Sequence, residues 1–229
     1  MIIGGLQKLS LVDYPGKICS VVFTQGCVFR CSYCHNPDLV LGPCKLQIPE
    51  QTVLDYLSNH RSMLEGVVVT GGEPTLHKDL RDFLHKIKKL GLLVKLDSNG
   101  INPEILQGFI DDRLVDYIAM DIKAPWEKYD RVMQTSKTIG PTKCKQTLEV
   151  IQNSGVAHEF RTTVFPGVHT EEDFVEMASY LKPLEHYYVQ NIRYQVTLDP
   201  KIRQDVSLDV SGIVERLKKR YPRLAISER

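Results

Sequence analysis

The sequence contains no run of about 18 apolar residues, the length that a membrane-spanning helix needs. Its first residues also lack the basic and then apolar layout of a secretory signal. Charge of one sign is not in excess, because 29 Lys and Arg stand against 28 Asp and Glu. A net charge of +1 argues against a general binder of polyanions such as nucleic acid. We therefore expect a cytoplasmic protein that binds neither membranes nor nucleic acid.

Cysteine is scarce, with six residues in 229, so a disulfide framework is not predicted. Three of the cysteines are tightly clustered, which suits a reducing compartment. Cys19 lies in an apolar strand-like run and Cys144 in a helix-like run, and we interpret both as packing residues. Cys44 follows the cluster by ten residues, and an inert role is favoured for it.

Repeats, low-complexity tracts and proline-rich linkers are also missing from the sequence. A chain of 229 residues is long enough for one substantial domain with a sizeable core, and it does not need two. Hydrophobic residues at 42% and charged residues at 25% are ordinary for a globular protein. We predict a single domain over residues 1–229.

A short stretch, residues 26–37, carries Cys27, Cys31 and Cys34 at Cys-x3-Cys-x2-Cys spacing. Three thiolates from one loop can each hold one iron of a cubane [4Fe–4S] cluster, and the fourth iron then stays open to a substrate or cofactor. The alternative is a zinc site with His35 as the fourth ligand. Zinc loops usually supply two separated ligand pairs, and adjacent Cys and His side chains hardly point at one tetrahedral centre. The spacing therefore favours the iron–sulfur cluster.

Hydrophobic periodicity predicts alternating strands and helices along the chain. Strands are predicted over residues 17–24, 66–70, 92–97, 115–122, 158–165 and 186–194. Helices are predicted over residues 50–63, 76–90, 103–110, 141–153, 171–182 and 208–220. This alternation implies a parallel sheet covered by helices. The units are too few to close an eight-stranded barrel of the usual kind.

Polar residues follow the second predicted strand, at the end where a parallel sheet usually binds ligands. They are Gly71, Gly72, Glu73 and Pro74. The two glycines let the backbone approach a ligand closely, and the carboxylate of Glu73 suits an ammonium group. The alternative is a tight turn in which Pro74 opens the next helix.

The third and fourth predicted strands deliver acidic residues to the same end. Asp97 and Ser98 stand at the end of the third strand, and Asp121 and Lys123 at the end of the fourth. Alternation places Asp121 and Lys123 on one side of their strand, so they can act together. Taken alone, Asp97 and Asp121 can each simply cap the next helix.

Arg161 lies on the fifth predicted strand, where its side chain is expected to face the interior that the curved sheet encloses. A charge in such a place is costly unless it is paired. We expect an ion pair with Asp121 or Glu159, or a contact with the carboxylate of a ligand. The two interpretations have equal support from the sequence.

These residues resemble the signature of the radical S-adenosylmethionine (SAM) superfamily, with the aromatic Tyr33 just before the last clustered cysteine. The strings Ser-Leu-Val-Asp-Tyr-Pro-Gly at 10–16, Gln-Gly-Cys at 25–27 and Cys-His-Asn-Pro at 34–37 resemble the activating enzymes of glycyl radical enzymes. The similarity is greatest to activators of anaerobic ribonucleoside-triphosphate reductase. The resemblance covers nearly the whole chain. It implies an α/β fold, an open partial (β/α)6 TIM-like barrel, with the site at the carboxyl ends of the strands.

The resemblance also implies roles for individual residues. It makes Cys27, Cys31 and Cys34 the ligands of a [4Fe–4S] cluster, and it adds Lys123 as a catalytic residue. The cofactor-binding residues that it implies are Tyr33, Asn36, Gly71, Gly72, Glu73, Pro74, Ser98, Asp121, Lys123, Arg161 and His169. The positions that match a monovalent cation site are Asp97, Ser98 and Asp121.

The implied reaction is reductive cleavage of SAM at the open iron, followed by removal of a hydrogen atom from the Cα of a glycine in a glycyl radical enzyme. Anaerobic ribonucleotide reductase is the favoured partner, and a flavodoxin or ferredoxin is the implied electron donor. An enzyme of the pyruvate formate-lyase type is the alternative partner. Two other hypotheses are a radical SAM enzyme acting on a small molecule, similar to 7-carboxy-7-deazaguanine synthase, and a zinc-stabilised binding module without enzymatic activity.

Overall fold

A single sheet of eight strands carries the fold, and each strand neighbours the next one along the chain. The computed structural model describes residues 1–42, 47–135, 141–202 and 208–229, so the prediction about Cys44 lies outside the described residues. The strands are β1 (Ile3–Ser10), β2 (Cys19–Thr24), β3 (Gly66–Gly71), β4 (Leu93–Ser98), β5 (Tyr117–Asp121), β6 (Ala157–Thr163), β7 (His186–Gln190) and β8 (Ala225–Glu228). β1 is antiparallel to β2, and every later neighbouring pair is parallel. In the described part of the chain no ladder joins β8 to β1, so the barrel is partial and open.

Helices connect the parallel strands, because a parallel pair needs a crossover connection. Within the described ranges they are α1 (Pro37–Leu41), α2 (Glu50–Asn59), α3 (Leu80–Lys89), α4 (Pro103–Asp111), α5 (Tyr129–Met133), α6 (Thr142–Asn153), α7 (Glu171–Ser179) and α8 (Val210–Arg220). Two 3-10 helices are formed by Pro74–Leu76 and Trp126–Lys128. None of the helices in these ranges combines the length and the apolar composition that a membrane crossing requires.

The prediction of an open α/β partial barrel is confirmed. The predicted strands correspond to β2 through β7, and the predicted helices to α2, α3, α4, α6, α7 and α8. Several ends differ by one to four residues, including that of the predicted helix 50–63, which ends at Asn59. The predicted helix 76–90 begins only at Leu80, because Pro74–Leu76 first forms a 3-10 turn. The predicted strand 186–194 ends at Gln190, where the chain leaves the sheet.

Both outermost strands were missing from the sequence prediction. β1 contains Gly4 and Gly5, and the side chains of its second half are exposed up to Leu9, which is typical of an edge strand. β8 is only four residues long, so its periodicity is too short to detect. The helices α1 and α5 were missed for the same reason, since each has five residues.

The core lies on both faces of the sheet. In β3, Val67, Val68 and Val69 are all buried, as expected for a parallel strand that is covered on two sides. The helices bury single stripes; that of α8 is Val210, Ile213, Val214 and Leu217. That of α7 includes Phe174, Met177 and Ala178, whereas Val175 is half-buried. Each fully buried aliphatic or aromatic side chain stabilises the fold by about 1.5 to 3 kcal/mol.

An ion pair joins the amino ends of two neighbouring strands, away from the predicted site. His158 Nδ1 lies 2.7 Å from the Val156 carbonyl, and Nε2 lies 3.4 Å from Glu185 Oε1. Because both partners accept hydrogen bonds, they favour the doubly protonated ring. Burial opposes the charged form, but the bonds to Glu185 and Val156 raise the pKa of His158. Burial likewise opposes ionisation of Glu185, but its hydrogen bonds with His158, Lys182 and Gln152 lower the pKa of that carboxyl.

These shifts predict a pH-dependent contribution to stability. A raised His pKa stabilises the fold below about pH 6.5 and loses that effect as the pH rises through the folded-state pKa, whereas a lowered Glu pKa stabilises it above about pH 4.3. We expect His158→Gln to lower the free energy of unfolding by about 1 kcal/mol between pH 5 and 6, and by less at pH 8. Urea unfolding across this pH range measures the difference. His186→Gln, at an exposed histidine of β7, is the matched control; an equal loss in His158→Gln at every pH would contradict the prediction.

Candidate functional site

The carboxyl ends of the parallel strands surround a cavity of about 340 Å³. Ligands generally bind at this edge of parallel α/β sheets. The structure brings most of the predicted site residues to its walls: Cys27, Cys31, Tyr33, Cys34, Asn36, Gly71, Gly72, Asp97, Ser98, Asp121, Lys123 and Arg161. Glu73, Pro74 and His169 do not line this cavity.

The cysteines lie on a loop, residues 25–36, that we call the cluster loop. It leaves β2 through Gly26, whose φ of +98° favours glycine, and the Gly26 N–H donates to the Leu39 carbonyl over 2.7 Å. A turn closes the cysteine stretch, because the Cys34 N–H donates to the Cys31 carbonyl over 2.9 Å. The conformation therefore brings all three thiols to one cavity.

A distant part of the chain holds the cluster loop in place. Residues 191–202, which we call the anchoring segment, follow β7 and cross to the loop. Their backbone donates three hydrogen bonds: Leu198 N–H to Cys34 O (3.1 Å), Asp199 N–H to Ser32 O (2.9 Å) and Arg193 N–H to His35 Nε2 (3.1 Å). The cluster loop is therefore anchored through two backbone carbonyls and the His35 ring, and none of these bonds uses a thiol.

The donor set of the loop fits an iron–sulfur cluster better than zinc. Cys27, Cys31 and Cys34 are free thiols that share the cavity wall. His35, the fourth ligand in the zinc alternative, also lines the cavity, but its Nε2 accepts a hydrogen bond from the Arg193 backbone N–H. A cubane cluster needs only the three thiolates and keeps one iron open. The residues present therefore match a [4Fe–4S] group.

Burial keeps the Cys27 and Cys31 thiols protonated in the absence of iron. Desolvation raises the pKa of Cys27 to about 12, with a further rise from the charge of Glu73. Desolvation raises the pKa of Cys31 to about 11, although the charge of Lys123 opposes the rise. A thiolate is the metal ligand, so binding of iron must release these protons.

Glu73 lies behind the cavity wall, whereas the sequence predicted a carboxylate facing the ligand. Its side chain is fully buried and accepts from Thr75 N–H (3.1 Å), Thr75 Oγ (2.5 Å), Ser98 Oγ (2.9 Å) and Asn99 N–H (2.7 Å). Burial raises the pKa of Glu73, and these hydrogen bonds oppose the rise. The carboxylate therefore joins the loop after β3 to the loop after β4. Pro74 opens the adjacent 3-10 helix, in agreement with its alternative interpretation as a turn residue.

The two glycines of the same motif allow close contact with the cluster loop. A Cβ on Gly72 would lie 2.1 Å from the Gly26 carbonyl oxygen, and one on Gly71 would lie 2.5 Å from the Thr24 backbone. Backbone hydrogen bonds complete the contact, from Gly72 N–H to Thr24 O and from Glu73 N–H to Gly26 O, each 2.8 Å. Any side chain at Gly71 or Gly72 would push the loop after β3 away from the cysteines.

Two carboxylates and three cations form a charged network on one wall. Arg161 lies 2.9 Å from both Asp97 and Asp121, Lys95 lies 2.6 Å from Asp97, and Lys123 lies 3.3 Å from Asp121. Burial opposes ionisation, but Arg161 and Lys123 hold the pKa of Asp121 at about 2. The ion-pair interpretation of Arg161 therefore matches its position. A monovalent cation at Asp97 and Asp121 would compete with these side chains.

Lys123 is a cation of this network that lines the cavity and has unused hydrogen-bonding capacity. Its ammonium group has three N–H donors, and Asp121 at 3.3 Å is its hydrogen-bond partner among the described side chains. The backbone is held in place, because the Lys123 N–H donates to Tyr129 Oη over 3.2 Å. The ammonium group is therefore positioned in the cavity wall with capacity to bind an anionic ligand group.

His169 supports Lys123 from behind. Its Nδ1 accepts from the Phe165 N–H over 3.1 Å, so Nε2 carries the proton and donates to the Lys123 carbonyl over 2.9 Å. Burial lowers the pKa of His169 to about 4, which agrees with a neutral ring. Tyr33 packs against Phe165 with ring centroids 5.1 Å apart. His169, which was predicted to contact SAM, does not line the cavity. Tyr33 and Asn36 do line it.

Several lining residues had no predicted role. They are Phe29, Asn99, Thr163 and Gln190, among others. Thr163 and Gln190 are the last residues of β6 and β7. Because sites in parallel α/β folds lie at the carboxyl ends of strands, these two residues could have been predicted to line the site. Asn99 directly follows Ser98, but nothing in the sequence places it beside Cys27.

The charged network predicts a large cost for removing its central cation. In Arg161→Gln, Asp97 and Asp121 would lose a buried partner, and we expect the free energy of unfolding to fall by about 3 to 5 kcal/mol. Urea unfolding measures this change. The matched control is Arg216→Gln, whose pair with Glu171 is about half exposed and is worth less than about 1 kcal/mol. Equal losses in the two variants would contradict the prediction.

Known proteins resemble this chain in sequence and in fold. Residues 21–181 match the model of the radical SAM superfamily. A Methanocaldococcus jannaschii protein named as a glycyl-radical enzyme activating enzyme is 31% identical over 208 residues, which are 89% of this chain and 85% of that protein. The pyruvate formate-lyase-activating enzyme of Clostridium pasteurianum is 28% identical over 227 residues, covering 90% of this chain and 91% of the relative.

Among solved structures, Streptococcus suis SuiB bound to S-adenosylmethionine gives a TM-score of 0.73 at 14% identity. The match covers 91% of this chain, which spans about half, 49%, of the SuiB chain. At such an identity the likeness concerns the fold alone, and the fold is that of radical SAM proteins. From its sequence matches and its fold, the chain belongs to the radical SAM superfamily, in the family of glycyl-radical enzyme activating enzymes, which are enzymes that use a [4Fe–4S] cluster and SAM.

Proposed function

We propose that this chain activates anaerobic ribonucleoside-triphosphate reductase by removing a hydrogen atom from a glycine Cα of that enzyme. The observation that carries the proposal is that one cavity brings together the cluster-loop thiols, the glycine turn after β3 and the ammonium group of Lys123. When bound, the cluster and SAM supply one-electron cleavage of the sulfonium and a radical that abstracts hydrogen. The rest of the work falls to the protein side chains, which bind, orient and exclude water.

The site residues divide this work by position. Cys27, Cys31 and Cys34 would hold the cluster through their thiolates. Lys123 suits the carboxylate of SAM, because its ammonium group has unused donors in the cavity wall. The backbone of Gly71 and Gly72, which carries no side chain, would accept the amino group of SAM next to the cluster loop.

The remaining lining residues would complete the SAM site. Ser98 and Asn36 offer small polar groups, and Tyr33 offers an aromatic wall. Asp121 and Arg161 have their charges matched by neighbours, so we assign them to holding Lys123 and the wall in place. Glu73 and His169 act from behind, through the loops that they fix.

A second cavity of about 550 Å³ supports a macromolecular substrate. It is lined by Val12 and Asp13 beyond β1 and by Asn191, Arg193 and Arg229 beyond β7 and β8, and it shares Asp97 and Arg161 with the first cavity. These residues flank the side on which the described sheet is open. A glycine-bearing loop of a partner protein would reach SAM through this opening.

Residues 10–16 support a protein partner, and their resemblance to reductase activators motivates the choice of the reductase. This segment carries the Ser-Leu-Val-Asp-Tyr-Pro-Gly string, and its Leu11 and Val12 are 68% and 80% exposed beside the opening. Exposed apolar side chains at a cavity mouth are typical of protein contacts. The relatives named as pyruvate formate-lyase activators make an enzyme of that type the second candidate partner.

The other requirements of the reaction follow from the cluster. Sulfonium reduction needs a potential at the low end of the iron–sulfur range. A flavodoxin or ferredoxin is therefore the proposed electron donor, and an anaerobic cytoplasm the proposed setting. We assign the whole activity to one domain over residues 1–229.

The cluster assignment predicts a sharp difference between cysteine variants. After anaerobic reconstitution with iron and sulfide, we expect Cys31→Ala to lose the four-iron cluster and to form no 5′-deoxyadenosine from SAM under reduction. Cys19→Ala is the matched control, because Cys19 is a buried packing residue outside the cavity. Iron analysis and chromatography of the nucleoside measure both properties. Stoichiometric zinc and no cluster in the unsubstituted protein would reject the proposal.

The choice of partner predicts where the glycyl radical appears. Incubated with reductant and SAM, the protein should produce a glycyl radical signal by electron paramagnetic resonance in anaerobic ribonucleotide reductase and none in pyruvate formate-lyase. A substituted reductase with alanine at the radical glycine is the negative control. A radical in the lyase alone would reverse the order of the two candidates, while deoxyadenosine formation without either radical would favour a small-molecule substrate.

A further inference from the structure

The amide of Asn99 is directed at the sulfur of Cys27. Asn99 Nδ2 lies 3.6 Å from Cys27 Sγ, within hydrogen-bonding distance for a sulfur acceptor, and the Phe29 N–H lies 3.4 Å from the same sulfur. The Cys27 thiol is therefore approached by N–H donors from two other residues.

The orientation of this amide is determined by its other contacts. Asn99 Oδ1 accepts from the Ile101 N–H over 3.0 Å, so the nitrogen and not the oxygen faces the sulfur. The Asn99 backbone N–H donates to Glu73 Oε2 over 2.7 Å, and the residue is 6% exposed. The donor is thus fixed before any group binds, and it requires no rearrangement to reach Cys27.

An N–H donor stabilises negative charge on the sulfur that it contacts. Reduction of a cluster by one electron increases that negative charge, so the hydrogen bond is stronger in the reduced state. Hydrogen bonds to the sulfurs are among the factors that set the reduction potential of a cluster. A donor on one thiolate also makes the corresponding iron site electronically distinct from the others.

We propose that Asn99 tunes the cluster, raising its reduction potential through an N–H···S hydrogen bond to Cys27. The inference rests on the proposed role of Cys27 as a cluster ligand. In the step concerned, the cluster accepts one electron from a low-potential flavin or iron–sulfur donor protein, and no proton or leaving group moves. Asn99 makes this reduction easier and takes no part in cleaving SAM.

The test compares cluster potentials in Asn99→Ser and the unsubstituted protein. Serine keeps a side-chain oxygen for the Ile101 N–H, which preserves the turn, but it is too short to reach Cys27. At the solution potential where half of the unsubstituted clusters are reduced, we expect the reduced-to-oxidised ratio to fall about threefold to tenfold, the effect of one lost hydrogen bond. Potentiometric titration followed by electron paramagnetic resonance measures this ratio.

Asn102→Ala is the matched control. The Asn102 amide donates to the carbonyl and hydroxyl of Thr75 and contacts no sulfur, so its loss perturbs the same region without touching the cluster. A second readout is the coupling of an exchangeable proton near the cluster, measured by electron–nuclear double resonance. We expect one coupling to disappear in Asn99→Ser and to persist in Asn102→Ala.

The possible results distinguish failure of the Asn99 inference from failure of the proposed function. An unchanged potential and an unchanged proton coupling in Asn99→Ser overturn the inference, as does an equal shift in Asn102→Ala. Absence of any four-iron cluster in the unsubstituted protein instead overturns the assignment of Cys27, and with it the proposed function. A negative shift in Asn99→Ser together with the lost coupling supports the tuning role, whichever partner protein is activated.

Discussion

The buried carboxylate of Glu73 is the interaction on which the site depends. It accepts hydrogen bonds from Thr75, Ser98 and Asn99, and so it joins the turn after β3 to the turn after β4. A fully buried carboxylate is tolerated only when such donors satisfy it, which makes the arrangement hard to change in parts. Ser98 reaches the cavity and Asn99 reaches Cys27 because this one group holds their backbone. The glycines beside Glu73 bring the same turn against the cluster loop.

The charged network around Arg161 contains side chains whose charges are neutralised by their neighbours, together with Lys123, which can still bind a ligand. Arg161 and Lys95 match the carboxylates of Asp97 and Asp121, so the wall of the cavity contains buried charge without an unpaired member. Lys123 is held at the edge of that network with donors to spare. A lysine surrounded only by apolar groups would lose its charge, whereas one beside a matched pair keeps it. The network thereby supplies a positive group where an anionic ligand group would bind.

The sequence was sufficient to predict the strands and helices that have a clear pattern of apolar residues within the element itself. Strands such as β3 contain a run of valines, and the apolar residues of α8 repeat with helical spacing, so both elements were predicted. The edge strands β1 and β8 were missed because they are short or glycine-containing. The cysteine spacing predicted a cluster, but the direction of the Glu73 side chain depends on a partner loop 25 and 26 residues away. The contact of Asn99 with Cys27 joins residues 72 positions apart. Sequence periodicity does not indicate contacts between residues so far apart in the chain.

The anchoring segment has a consequence for how the chain is made. Arg193 hydrogen-bonds to His35 across 158 positions of sequence, and its neighbours hold the backbone of Ser32 and Cys34. At 5 to 20 residues per second, a ribosome synthesises those later residues roughly 8 to 32 s after the cysteines. Throughout that interval the nascent loop lacks its anchors, and its thiols are exposed to oxidants and to stray metal ions. We therefore expect iron to be inserted after synthesis of the chain is complete. Stalled translation would leave three reactive thiols on an unsupported loop.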